Sequence, residues 1–134
     1  IIFILMSRFL KYATPKAEVT DDRIHQVLSY IRRNISKRID IEELAEQTYM
    51  SKDHFIRVFK NEVGITPNAF ITQKKMERAE LLLVTTSQAV KSIADSLGYE
   101  DYSYFNRIFK KHLDITPQQY REKFNVQNTA SPTT

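Results

Sequence analysis

Residues 49–67 read YMSKDHFIRVFKNEVGITP and residues 99–117 read YEDYSYFNRIFKKHLDITP. Eight of these 19 aligned pairs are identical: Tyr49/Tyr99, Phe55/Phe105, Arg57/Arg107, Phe59/Phe109, Lys60/Lys110, Ile65/Ile115, Thr66/Thr116 and Pro67/Pro117. Chance supplies only about one or two identities in such a window, so the chain carries an internal duplication, and a duplication sets the architecture. Upstream the match resumes with a one-residue slip, Leu44-Ala45 on Ile93-Ala94, which makes the turn of the second copy one residue longer. Each copy is a short helix, a turn and a second helix.

Cap and turn signals extend this pattern to seven helices. The first covers about residues 21–34, with Ile24, Val27, Leu28, Ile31 and Ile35 on one face. Asp40 opens the second, with Glu43 placed three residues later to complete a capping box. Ser51 caps the third, over about 52–62, and Gly64 ends it where a positive φ carries no Cβ strain. Thr66 and Pro67 start a fourth that runs to about Val84. Ser87 caps the fifth, Asp101 caps the sixth over about 102–112, and Thr116 with Pro117 opens the seventh, through Tyr120 and Lys123. The fold class is therefore all-α, two helix-turn-helix subdomains joined by a long linker helix. The divisions are an N-terminal segment 1–20, a first subdomain 21–66, the linker 67–84, a second subdomain 85–124 and a disordered polar tail 125–134.

Composition agrees with this and removes other classes. A chain of 134 residues with only 2 glycines lacks the glycine turns of a sandwich or barrel. The absence of cysteine excludes disulfides, thiolate metal sites and a cysteine nucleophile, and suits a reducing cytoplasm. The longest apolar run, residues 1–6, is far short of the roughly 20 residues of a membrane span. Twenty Lys and Arg against 16 Asp and Glu give a net charge of +4, compatible with a polyanionic partner.

On a helical wheel, Phe55, Val58, Phe59 and Glu62 fall on one side of the third helix, with Asp53, Arg57 and Lys60 opposite and Ile56 on the flank. The sixth helix repeats this with Phe105, Ile108, Phe109 and His112 inward, Ser103, Arg107 and Lys110 outward and Asn106 on the flank. Such an Arg-bearing outer face on the second helix is the layout by which a helix-turn-helix unit enters the major groove. Lys52, Asp53, Ile56, Arg57 and Lys60 form the candidate DNA-binding set of the first copy. Tyr102, Ser103, Asn106, Arg107, Lys110 and Lys111 form that of the second. Met76, Ala79, Leu82 and Leu83 lie at helical spacing and are expected to dock the linker between the two lobes.

The residues also carry a family resemblance. Ile93-Ala94, Gly98-Tyr99, Asp101, Tyr104-Phe105, Arg107, Phe109-Lys110-Lys111, Thr116-Pro117 and Tyr120-Arg121 resemble the second-repeat signature of the AraC/XylS family of bacterial transcription regulators. Leu44-Ala45, Met50-Ser51, Phe55, Arg57, Phe59-Lys60 and Gly64 match the first repeat, and Lys75-Met76, Ala79 and Leu82-Leu83 the linker. Asp114 departs from the family's usual glycine, and Ile56 stands where the family is often polar. The resemblance implies sequence-specific binding of double-stranded DNA by two recognition helices in successive major grooves, and regulation of transcription, with RNA polymerase as a further partner. It also implies a sensing or dimerising domain before residue 21, of which residues 1–12 would be the final helix.

The bland alternatives are explicit. The four phenylalanines, Tyr49, Tyr99 and Leu44 read as core. Asp40, Glu42, Glu43 and Glu46 are explained by capping and the positive helix N-terminus, not by catalysis. His25, His54 and His112 are far apart and fit no metal or nucleophile motif. The chain is read as a non-enzyme without cofactor, metal or membrane attachment. A helical protein-interaction module without DNA binding is the competing class. It gives no reason for an outward arginine at matched registers of both copies.

Overall fold

The computed structural model describes residues 18–125. The expected upstream helix, residues 1–12, and the tail beyond residue 125 lie outside the described residues. Among the described residues there are seven helices and no strand: α1 (Asp22–Arg33), α2 (Ile41–Gln47), α3 (Lys52–Val63), α4 (Pro67–Thr85), α5 (Val90–Ser96), α6 (Tyr102–Leu113) and α7 (Pro117–Phe124). They form two compact units, one ending at Lys74 and the other starting at Lys75, so the division falls inside α4.

In the first unit, Ile24, Val27, Leu28 and Ile31 of α1 are buried with Leu44 and Ala45 of α2, Phe55, Phe59 and Val63 of α3, and Phe70 and Ile71 of α4. Ile35, beyond the end of α1, packs on this core half-buried. Glu62 faces inward for a polar reason: its carboxylate accepts from the Thr20 amide at 3.0 Å and the Thr20 hydroxyl at 3.1 Å, tying the start of the unit to the end of α3.

The second unit buries Met76, Ala79, Leu83 and Val84 of α4, Val90, Ile93 and Ala94 of α5, Phe105, Phe109 and Leu113 of α6, and Tyr120 of α7. Met76, Ala79 and Leu83, with half-buried Leu82, pack into the core of this second unit. The apolar stripe of α4 is split by position: Phe70 and Ile71 serve the first core and the later residues the second. Arg121 closes this unit by donating to the carbonyls of Leu83, in the last turn of α4, and of Thr86, just past it, each at 3.2 Å.

The duplication is deeper than its identities. Residues 51–70 and 101–120 show the same alternation of exposed, half-buried and buried positions throughout. Phe55–Phe59 and Phe59–Phe70 ring pairs, each 5.8 Å apart, are matched by Phe105–Phe109 at 6.0 Å and Phe109–Tyr120 at 5.6 Å. The third aromatic, Phe70 or Tyr120, lies past the stretch in which identity is visible.

Three local expectations change. Asp40 caps α2 through the Glu42 amide at 3.0 Å, one residue earlier than a capping box requires. The capping box is found instead at α7, where Thr116 and Gln119 bond reciprocally. Ser87 does not cap α5: the Thr86 hydroxyl donates to Leu82 and accepts from the Gln88 amide, and burial of Val90 delays the helix until Ala89 is its N-cap, with no side-chain bond.

Tyr49 is the largest correction. It is 97% exposed, not core, and adopts φ 60. Its amide donates to Glu46 and that of Met50 to Ala45, just as Gly98 donates to Asp95 and Tyr99 to Ala94. The structural counterpart of Tyr49 is therefore Gly98, at φ 83, and that of Tyr99 is Met50. Met50 and Tyr99 are the half-buried residues that pack on their cores.

Candidate nucleic-acid interface

The second helix of each pair begins with a firm cap. The Ser51 hydroxyl accepts from the His54 amide at 3.3 Å, and the Asp101 carboxylate accepts from Ser103 at 2.9 Å and Tyr104 at 3.3 Å. At the far ends Gly64 at φ 100 and Asp114 at φ 70 both turn left-handed, so the aspartate takes the conformation that glycine supplies in the first copy. With two phenylalanines of each helix fully buried, its rotation about its own axis is fixed. The outward face is thereby fixed as well.

On α3, Lys52, Asp53, Arg57 and Lys60 are exposed, and Ile56 is half-buried against the first core. On α6, Tyr102, Ser103, Arg107, Lys110 and Lys111 are exposed, and Asn106 is half-buried at the register of Ile56. Each set is thus brought to one helix face within its own unit. The equivalence of Ile56 and Asn106 marks the chemical difference between the two: only α6 offers a carboxamide there.

Partners around these faces are few and weak. The Lys52 ammonium lies 3.8 Å from the Glu42 carboxylate, an exposed pair worth little in water and readily exchanged for another anion. The Arg57 Nη2 lies 3.2 Å from Nδ1 of His54. The Arg107 guanidinium lies over the ring of Tyr104, 5.8 Å from its centroid. His54 and Tyr104 were absent from the sequence-derived set, although each stands three residues before its arginine, a spacing that brings side chains together on a helix.

Support behind α6 comes from the unit's interior. Tyr99 packs 5.3 Å from Phe105 and 6.1 Å from Tyr104, and burial, followed by the nearby Tyr104, pushes its hydroxyl up to about 12. The Lys75 ammonium lies 5.7 Å from the Tyr99 ring centroid. Among the described residues no cluster of three or more His, Asp and Glu side chains is placed to hold a metal ion, and no helix is long and apolar enough to cross a membrane.

Residues 44–123 match the family described as a helix-turn-helix domain. The chain is 34% identical over 110 residues to the xylose operon regulatory protein of Escherichia coli K12, an alignment covering 82% of this chain and 28% of that one. Among solved structures, the C-terminal domain of the two-component response regulator yesN from Fusobacterium nucleatum is similar at a TM-score of 0.72 and 33% identity, over 75% of this chain and 99% of that one. The DNA-binding domain of AdpA, solved with a target DNA, shares the fold at a TM-score of 0.76 and 23% identity, over 83% of this chain and 100% of that one. The chain spans less than half the length of the curated relatives it matches.

Proposed function

The chain belongs to the AraC/XylS family of helix-turn-helix regulators, and on that premise we propose that it binds double-stranded DNA sequence-specifically, α3 and α6 each presenting their outer face to a major groove. The observation that carries this is the matched register. Arg57 and Arg107, and Lys60 and Lys110, are exposed at equivalent places on two helices whose other faces are pinned by buried phenylalanine pairs. A protein-docking helix has no requirement for that repetition, whereas two helices that read DNA do.

Roles follow from side-chain chemistry. Arg107 suits the paired acceptors of guanine and Asn106 the donor and acceptor of adenine, whereas Lys52, Lys60, Lys110 and Lys111 suit phosphates as point charges. Asp53 and Ser103, in the first turns, suit an acceptor and a donor role toward base edges, and Ile56 suits apolar contact with a thymine methyl. The continuity of α4, 19 residues or about 28 Å at 1.5 Å per residue, supports a site that takes in two successive major grooves.

In the cell this activity belongs with the bacterial chromosome, in the cytoplasm, with RNA polymerase as the second partner through which an operon regulator acts. The greater length of the relatives supports a sensing or dimerising domain as the source of control.

Selection from random duplexes tests the proposal. One asymmetric motif of about two DNA turns is expected, bound with log K falling by about 0.9 per neutralised phosphate against log salt. A folded sample that shows no duplex binding at low salt overturns it. Protection of only half a turn in a footprint overturns the use of both helices.

A further inference from the structure

We infer that His54 and Tyr104 are positioning residues that aim Arg57 and Arg107, and that their unequal anchoring concentrates base discrimination in the second repeat. This rests on α3 and α6 being the DNA-facing helices. Both residues stand at the same register, three before the arginine, on exposed surface. Their chemistry differs. A guanidinium can only donate, so in this pair Arg57 Nη2 donates and His54 Nδ1 accepts. Tyr104 instead offers its ring face to the Arg107 guanidinium, within the range of a cation–π contact.

What stands behind each differs more. Tyr104 is in ring contact with Tyr99, and Tyr99 with Phe105, which is fully buried. Arg107 is therefore held by a stack that begins in the core. Among the described residues the His54 amide is held by the Ser51 cap, and the structural counterpart of Tyr99 is Met50, which packs half-buried on the first core but offers no ring for a stack. Holding an arginine beforehand removes part of the side-chain ordering that binding otherwise requires, and a bidentate contact to a base benefits most because it needs both direction and plane. Arg107 gains that advantage through an anchored ring, and Arg57 through one exposed hydrogen bond.

A double-mutant cycle on the folded chain tests this. Tyr104→Leu is expected to weaken the selected duplex roughly two- to fivefold, the worth of an exposed cation–π contact, while leaving unselected duplexes unchanged. Tyr104→Phe, which keeps the ring face, should restore binding, and Tyr104→Leu should have no effect in an Arg107→Ala background. His54→Leu should cost less than Tyr104→Leu. A Tyr104→Leu loss that persists without Arg107, or an equal loss on every duplex, would show a direct or merely structural role and overturn the inference. The free protein gives an independent arm: the Arg107 Nε–H resonance should move on Tyr104→Leu and stay on Tyr104→Phe, and an unmoved resonance also overturns it. Wild-type protein without duplex preference, but with the resonance shift, would locate the failure in the DNA reading and would remove the proposed consequence for discrimination.

Discussion

Lys75, buried on α4, donates from its ammonium to the carbonyl of Leu97, the residue that closes α5. The bond satisfies a helix-end acceptor just before the turn into α6, so one α4 side chain holds the geometry of the second helix pair. Burial brings this lysine from its ordinary value of 10.5 down to about 8.

The sign of the resulting pH dependence is fixed. Between pH 8 and 10.5 the unfolded chain retains a proton that folded Lys75 has released, so stability rises with pH across that window, by at most about 1.4 kcal/mol per pH unit. Tyr99, pushed up to about 12, acts oppositely: above pH 10 the folded state keeps a proton the unfolded chain has lost, and stability falls. Urea midpoints should climb from pH 8 and then turn over. In Lys75→Met the climb should vanish and the turnover remain; a persisting climb would assign it to another group.

Tyr49 bears a conformation that its counterpart Gly98 adopts without Cβ strain. A left-handed residue with a Cβ costs about 1–2 kcal/mol, and the extra unfolded-state freedom of glycine offsets about 0.4–1 kcal/mol of any gain. Tyr49→Gly is therefore expected to raise stability by about 0.5–1 kcal/mol. Gly98→Ala should lower it by about 1 kcal/mol. Thermal melts of both variants read the difference, and a lower Tm for Tyr49→Gly would mean that the exposed ring holds the turn.

Capping is uneven between α5 and α6. Ala89 leaves the amides of α5 without a side-chain acceptor, whereas Asp101 serves two amides of α6. Ala89→Ser or Ala89→Asp should stabilise by about 0.5–1 kcal/mol, and Asp101→Ala should cost about 1 kcal/mol. Because Asp101 precedes the proposed recognition helix, Asp101→Ala should also weaken duplex binding, while Ala89→Ser leaves it unchanged. Denaturation and gel-shift titrations of the same samples separate these effects.

Much of this architecture is legible in the residues because helix caps and buried aromatics act locally. Ser51, Gly64, Asp101 and Thr116 announce their helix ends, and Phe55, Phe59, Phe105 and Phe109 announce the inward faces. Tyr49 misleads because identity with Tyr99 persists across a one-residue slip: sequence alignment pairs two tyrosines, whereas backbone hydrogen bonding pairs Tyr49 with Gly98. Ser87 is the right residue type two positions early, and only the burial of Val90 decides where α5 starts. The arginines are readable from recurrence. Their holders, His54 and Tyr104, are not, because the two repeats solve the same positional problem with different chemistry.

That difference in chemistry also separates affinity from selectivity along α6. Asn106 and Arg107 sit in the half of the helix nearer its capped N-terminus, and Lys110 and Lys111 in its last turn. A bidentate base contact is worth roughly 1–3 kcal/mol of discrimination, whereas a phosphate contact carries no sequence information. Arg107→Ala and Asn106→Ala should each relax preference at a few positions of the selected motif, with about a tenfold or greater loss on the best duplex and little on random DNA. Lys110→Ala should weaken all duplexes alike and reduce the salt slope by about one. Repeating the selection with each variant measures this directly. A uniform loss for Arg107→Ala would move that guanidinium to the phosphate backbone, and a relaxed motif for Lys110→Ala would bring that ammonium into the groove.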